Sequence, residues 1–234
     1  MNIGFILENH RWFNIIEETF PEENIIRKKI FNMDHEFILI SFENGNNVWS
    51  TVAMGASIAV SMAEKLIQDF NCDYIFRIGT AGSLVPEIKT GEICISYAGI
   101  KGEGTSNYYI NPEVPSLSNI DFTYQFKEYL ELNKITSHIV LTYTTDGRWK
   151  ENHELIEYYM RLGAKSIDME SSALLSMGMD RNKTVQPLSI ITDSPLEDTE
   201  EFIGLIKVGV WEDIIMPTFI RLFSVCISWC KDFS

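Results

Sequence analysis

The sequence predicts an α/β layered fold, a mixed central sheet with helices on both of its faces. Apolar runs of strand length alternate with stretches of helical spacing from end to end, and no internal repeat or low-complexity tract interrupts them. Size and balance agree. The 234 residues suffice for one domain spanning 1–234 with a substantial core, and 45% hydrophobic against 22% charged residues is ordinary globular composition. Disorder and fibrous repeats are set aside on that ground.

Residues 2–7 (NIGFIL) form a continuous apolar run, the signature of a buried strand. Residues 36–42 and 48–54 flank the turn-rich ENGNN and are expected to pair as a hairpin. Residues 56–70 carry Ile58, Val60, Met62, Ala63, Leu66 and Ile67 at helical spacing, and residues 73–78 (DYIFRI) return to strand. After a Gly-rich loop, strands are expected at 92–100, 137–142, 165–169 and 185–192, with helices at 122–132, 154–161 and 171–179. A closing helix from about 200 to 230 is expected to kink or split at Pro217, which lacks the amide hydrogen that position would donate.

Charge narrows the function. The 19 basic and 33 acidic residues leave a formal charge of −14, which repels phosphodiester backbones and anionic lipid headgroups. Nucleic acid and membrane surfaces are therefore not expected as partners, whereas a small anion in a local cationic pocket remains compatible. The N-terminus shows no basic leader followed by an apolar run, and residues 216–230, interrupted by Arg221, are too short for a bilayer span. A cytoplasmic protein is expected. Cys72, Cys94, Cys226 and Cys230 match no zinc spacing and read as buried free thiols, and the four histidines are scattered. No metal or organic cofactor is expected.

The densest signal is DYIFRIGTAGSLVP. Arg77 ends an apolar run, where a guanidinium needs a counter-charge. Gly79, Thr80, Ala81, Gly82 and Ser83 follow, a stretch whose amides and hydroxyls can cradle an anion beyond the carboxyl end of a strand. The spacing is neither a Walker loop nor a dinucleotide fingerprint. A tight turn with Arg77 paired to a structural carboxylate fits the same residues equally well.

Four ordered motifs resemble the nucleoside phosphorylases of the purine and uridine phosphorylase superfamily: RIGTAGSLVPEIKTGEICIS, KGEGTSNYY, IDMESSALLSM and IITDSP. The resemblance covers nearly the whole chain. It implies a three-layer α/β sandwich whose central sheet is partly barrel-like, in a homodimer or a hexameric trimer of dimers. It also implies nucleoside and inorganic phosphate as substrates. By that resemblance Arg77, Gly79 and Thr80 belong to the phosphate site, and Glu170 and Met169 grip the ribose. Asp168 stands where a glutamate is usual, and Met54 lines the sugar pocket. Asp193, after Thr192, falls on the acid that protonates a purine, and Lys207, four residues before Trp211, on a basic residue assisting it.

The chain also departs from the family. In place of Gly-Asp-Pro-x-Arg it has Leu7, Glu8, Asn9, His10 and Arg11, so the arginine survives while Glu8 is set to repel phosphate. Gly-Gly-Pro-Ser is reduced to Gly55, Ala56 and Ser57. Arg27 is the candidate for the arginine donated across the dimer, and Trp149 the candidate for stacking on the base.

Phosphorolysis gives the sugar oxocarbenium character and the leaving group negative charge. It therefore needs an oriented phosphate (Arg77, Arg11), an acceptor for the sugar hydroxyls (Glu170) and a proton donor to the base (Asp193). The expected reaction is phosphorolysis of a purine nucleoside to free base and (deoxy)ribose 1-phosphate. Uridine phosphorolysis, a water-using nucleosidase that has no need of Arg77, and a nucleoside-binding paralogue without turnover are the alternatives.

Overall fold

The computed structural model describes residues 1–19, 25–30, 35–195 and 209–232. In chain order the elements are β1 (Asn2–Leu7), α1 (His10–Thr19), β2 (Ile25–Ile30), β3 (His35–Ser41), β4 (Asn47–Val52), α2 (Ala56–Phe70), β5 (Tyr74–Ser83), β6 (Ile93–Gly102), β7 (Ser116–Leu117), α3 (Ile120–Leu132), β8 (Ser137–Thr145), α4 (His153–Arg161), β9 (Ala164–Asp168), α5 (Ser171–Arg181), β10 (Thr184–Asp193) and α6 (Met216–Asp232).

The strands run β10-β6-β8-β9-β5-β1-β4-β3-β2 through one sheet, and β10 also pairs with β5. Five strands thus close on themselves, giving the partly barrel-like sheet, while β1, β4, β3 and β2 continue as an open wing. The β3–β4 hairpin is antiparallel; β1 lies parallel to both β4 and β5.

Alternation along the strands sets the layers. Ile3, Phe5 and Leu7 of β1, with Phe76 and Ile78 of β5, join Trp12 and Phe13 of α1, Phe126 of α3 and Phe219 and Phe223 of α6 in one core. Phe5 stacks on Phe76 at 5.1 Å and Trp12 on Phe219 at 4.4 Å between ring centroids. Ile6 and Ile75 face the other way, into a second core with Ala59, Met62 and Leu66 of α2 and Leu174 and Met177 of α5. Arg77 shares the parity of Ile75, so the strand aims it at the layer of α2 and α5.

Three elements went unanticipated, α1, β2 and the short β7. The segment expected as a Gly-rich loop is also strand: β10 runs beside β5 from Thr184↔Tyr74 through Ile190↔Thr80 and Ile191↔Ala81, so non-local pairing overrides the loop-like composition. One extra residue then enters β10, and Asp193 rather than Thr192 lies opposite Gly82.

The closing helix changes type where Pro217 lies. A π-helical turn, Trp211–Ile215, passes into α6 there, and the wider turn accommodates the missing amide hydrogen. The expected start of that helix lies outside the described residues. Together Trp211–Asp232 is long and apolar enough to cross a membrane by length and composition, which the shorter stretch read from the sequence was not. Its buried Phe219, Leu222, Phe223, Cys226, Ile227 and Cys230 make it a core helix here. All four cysteines are buried free thiols, as expected.

Candidate active site

The ends of β1, β5, β9 and β10 converge with the N-termini of α2 and α5 on one cleft open to solvent. Its charged lining among the described residues is Glu8, Arg77, Arg148, Glu151, Asp168, Glu170 and Asp193, five carboxyl groups against two guanidiniums.

Arg77 is the centre of the cleft and only 2% exposed. Its Nη2 meets Glu170 Oε2 at 2.5 Å and Glu8 Oε2 at 3.2 Å, while Nη1 lies 3.5 Å from Asp168 Oδ2 and donates to Ser189 Oγ at 2.8 Å. Burial alone would lower this group's pKa; Glu170, Asp168 and Glu8 outweigh it and hold the guanidinium above its ordinary value. Arg77 is therefore paired to internal acids, as one reading of the sequence had it, and it also borders an open cleft.

Glu8 follows β1, its N–H donating to Ile78 O at 3.2 Å. Its carboxylate accepts from the Thr80 amide, from Thr80 Oγ1 at 2.8 Å and from Arg77. The donors expected to bind phosphate, Arg77 and Thr80, are thus engaged by an internal carboxylate. Gly79 also serves differently from expectation. It lies under the guanidinium, where a Cβ would fall 2.1 Å from Arg77 Cζ, so its role is to let Arg77 fold back over the strand. Gly79→Ala should displace the fork and lower turnover about 10²-fold, with the fold kept, as read from kcat alongside circular dichroism.

Glu170 opens α5, with Oε1 accepting from the Gly55 amide at 2.6 Å. Gly55 holds a φ of 84°, a left-handed conformation that turns its N–H toward the cleft at the start of α2. Burial pushes the Glu170 carboxyl up to about 7 against the pull of Arg77. Met169 and Met54 also border the cleft.

Asp168 is a correction. Its side chain is wholly buried, and it accepts from Thr144 Oγ1 at 2.8 Å, from Ser171 Oγ at 2.5 Å and from the Ser171 amide. It holds Arg77 and the first turn of α5 in place through these contacts.

At the other end of the cleft Thr192 Oγ1 donates to Asp193 Oδ1 at 2.5 Å. Arg148 and Glu151 stand there too, neither anticipated from the sequence. Burial pushes Glu151 up to about 7, with Arg148 opposing and Asp193 adding to the rise. The polar run around Trp149 gave no spacing signal for either. Trp149 itself is 82% exposed, does not line the cleft and carries the Arg148 guanidinium 5.9 Å from its ring centroid, so the expected base stacking is not made.

Arg11 is likewise corrected: α1 turns it outward to Glu212 at 3.9 Å, with both side chains 70% exposed. Arg27 lies on the edge strand β2, opposite Ile38, and its side chain lies outside the described residues. Lys207 also lies outside the described residues. Among the described residues no group of three or more His, Cys, Asp or Glu side chains is set to hold a metal ion.

A family profile described as the phosphorylase superfamily matches residues 4–213. The chain belongs to that superfamily. Phosphorylase superfamily relatives carry both base preferences in their names. The chain is 31% identical to a uridine phosphorylase of Thermococcus kodakarensis over 101 residues, 43% of this chain and 36% of that protein. It is 28% identical to a DeoD-type purine nucleoside phosphorylase of Streptococcus suis over 215 residues, 83% of this chain and 86% of that one. The futalosine hydrolase of Helicobacter pylori superimposes with a TM-score of 0.80 at 15% identity, covering 97% and 98% of the two chains, a likeness of fold.

Proposed function

We propose that this cleft breaks the N-glycosidic bond of purine nucleosides and releases the free base. The observation that carries the reading is the single cavity joining Glu170 and Met169 at one end to Asp193 at the other. Glu170 is the acceptor for the ribose hydroxyls. The oxocarbenium character that the sugar gains on cleavage is favoured by the surrounding carboxylates. Asp193, steadied by Thr192, protonates the imidazole nitrogen of the departing purine.

Purine is favoured over uracil for two reasons. Asp193, an acid able to protonate a purine, lines the same cleft as Glu170, and the DeoD-type relative is matched over most of both chains whereas the uridine enzyme is matched over a part. Phosphate is the attacking group that the relatives' names imply. Its seat at Arg77 and Thr80 is held by Glu8, so phosphorolysis requires Glu8 to turn out of the cradle.

Base release from inosine, adenosine, guanosine and uridine, assayed in the presence of phosphate, tests the substrate class. At least one purine nucleoside should exceed uridine by tenfold or more in kcat/KM, about 1.4 kcal/mol of transition-state preference. Cleavage of uridine alone would overturn the purine assignment.

A further inference from the structure

We infer that Glu8 is a built-in occupant of the anion cradle, so that water, activated by this carboxylate, attacks the sugar and the products are free base and ribose. The inference rests on the proposed N-glycosidic cleavage and names its nucleophile.

Three donors close on Glu8: the Thr80 amide and Arg77 Nη2 on Oε2, and Thr80 Oγ1 at 2.8 Å from Oε1. That is the donor set a phosphate oxyanion would need, met from within the chain. The tether is short and rigid. Glu8 directly follows β1, its amide is fixed to Ile78 O, and β1 is paired on both sides by β4 and β5. The carboxylate is therefore supplied at an effective concentration that free phosphate must compete against.

Electrostatics adds to this. Five carboxyl groups against two guanidiniums line the cleft among the described residues, and both guanidiniums already face acids, Arg77 beside Glu8, Asp168 and Glu170 and Arg148 beside Glu151. A phosphate dianion would have to displace these carboxylates from the guanidiniums, whereas water carries no such cost.

Oε2 accepts from the Thr80 amide and Arg77, and the single Thr80 hydroxyl donor lies within reach of both oxygens, so an Oε1 lone pair remains for a water in the cleft. In the step, the water oxygen bonds to C1′ as its proton passes to Glu8. The C1′–N bond breaks with its electron pair going to the purine, and Asp193 supplies the proton the base takes up. The proton on Glu8 then returns through solvent to Asp193. No co-reactant is consumed beyond water.

The test compares the wild type with Glu8→Gln on inosine, with and without phosphate, following hypoxanthine by absorbance and the sugar by 31P NMR and a reducing-sugar assay. Wild type should release base at the same rate in both buffers and yield ribose. Glu8→Gln should lose about 10²- to 10⁴-fold in kcat without phosphate. Ribose 1-phosphate as the product, or an undiminished phosphate-free rate in Glu8→Gln, overturns the inference. Should no nucleoside be cleaved under any condition, the proposed cleavage itself fails, and phosphate binding decides the status of Glu8 separately. Millimolar phosphate should leave the wild-type melting temperature unchanged and raise that of Glu8→Ala. Stabilisation of the wild type by phosphate would overturn the occupancy of the cradle.

Discussion

Arg77→Met is expected to cost about 3–5 kcal/mol of folding stability, because it strips the counter-charge from three buried or half-buried carboxyls at once. Glu170 can escape by taking a proton. Asp168 and Glu8 retain only their hydrogen bonds to Thr144, Ser171 and Thr80. Urea unfolding of the variant and of Arg77→Lys measures the effect. Lysine keeps the charge without the fork and should recover part of the loss. A midpoint unchanged in Arg77→Met would show that the ion cluster contributes nothing to the fold.

The same cluster gives stability a pH dependence with a definite sign. Burial holds Glu170 at about 7 against an ordinary 4.5, so the unfolded chain sheds this proton first as pH rises. The folded state then binds more protons than the unfolded one, and the contribution to stability falls between those two values. Glu151, also held at about 7, slopes the same way.

Asp193→Asn should suppress purine cleavage by about 10²- to 10⁴-fold in kcat while nucleoside binding, followed by calorimetry, changes little. Asparagine preserves the contact with Thr192 and removes only the transferable proton. The geometry supports a selective effect: Asp193 is half-buried at the mouth of the cleft, one residue past Thr192, and Glu151 lies near enough to feel its charge. A parallel loss of binding and turnover would mean that residue 193 shapes the cleft and takes no part in proton transfer.

Much of the scaffold was legible because periodicity is a local property. The helix at 56–70 and the strand at 2–7 emerge with the bounds the spacing gives. The strand identity of residues 79–83 was not legible, since glycine-rich composition reads as loop and only the distant β10 supplies its ladder partner. For the site, the run ending in Arg77 stood out by itself, and the family resemblance singled out Glu170 and Asp193, which line the same cleft. It could not tell which way α1 turns Arg11 or how far Trp149 stands out of the surface, because both depend on packing between elements. Glu8 was visible as an acid out of place. That its side chain reaches the Thr80 amide is a fact of strand register, set by β1 lying beside β5.

The additional residue in β10 separates two jobs that the strand would otherwise perform together. Upstream, the ladder with β5 shuts the barrel; downstream, the chain is released from strict up-and-down alternation, and neighbours 192 and 193 look into the same space. A one-residue deletion at that point would leave the closure intact and point the acid at the wrong layer. Closure of the barrel and the facing of residue 193 are hence set by separate stretches of a single strand.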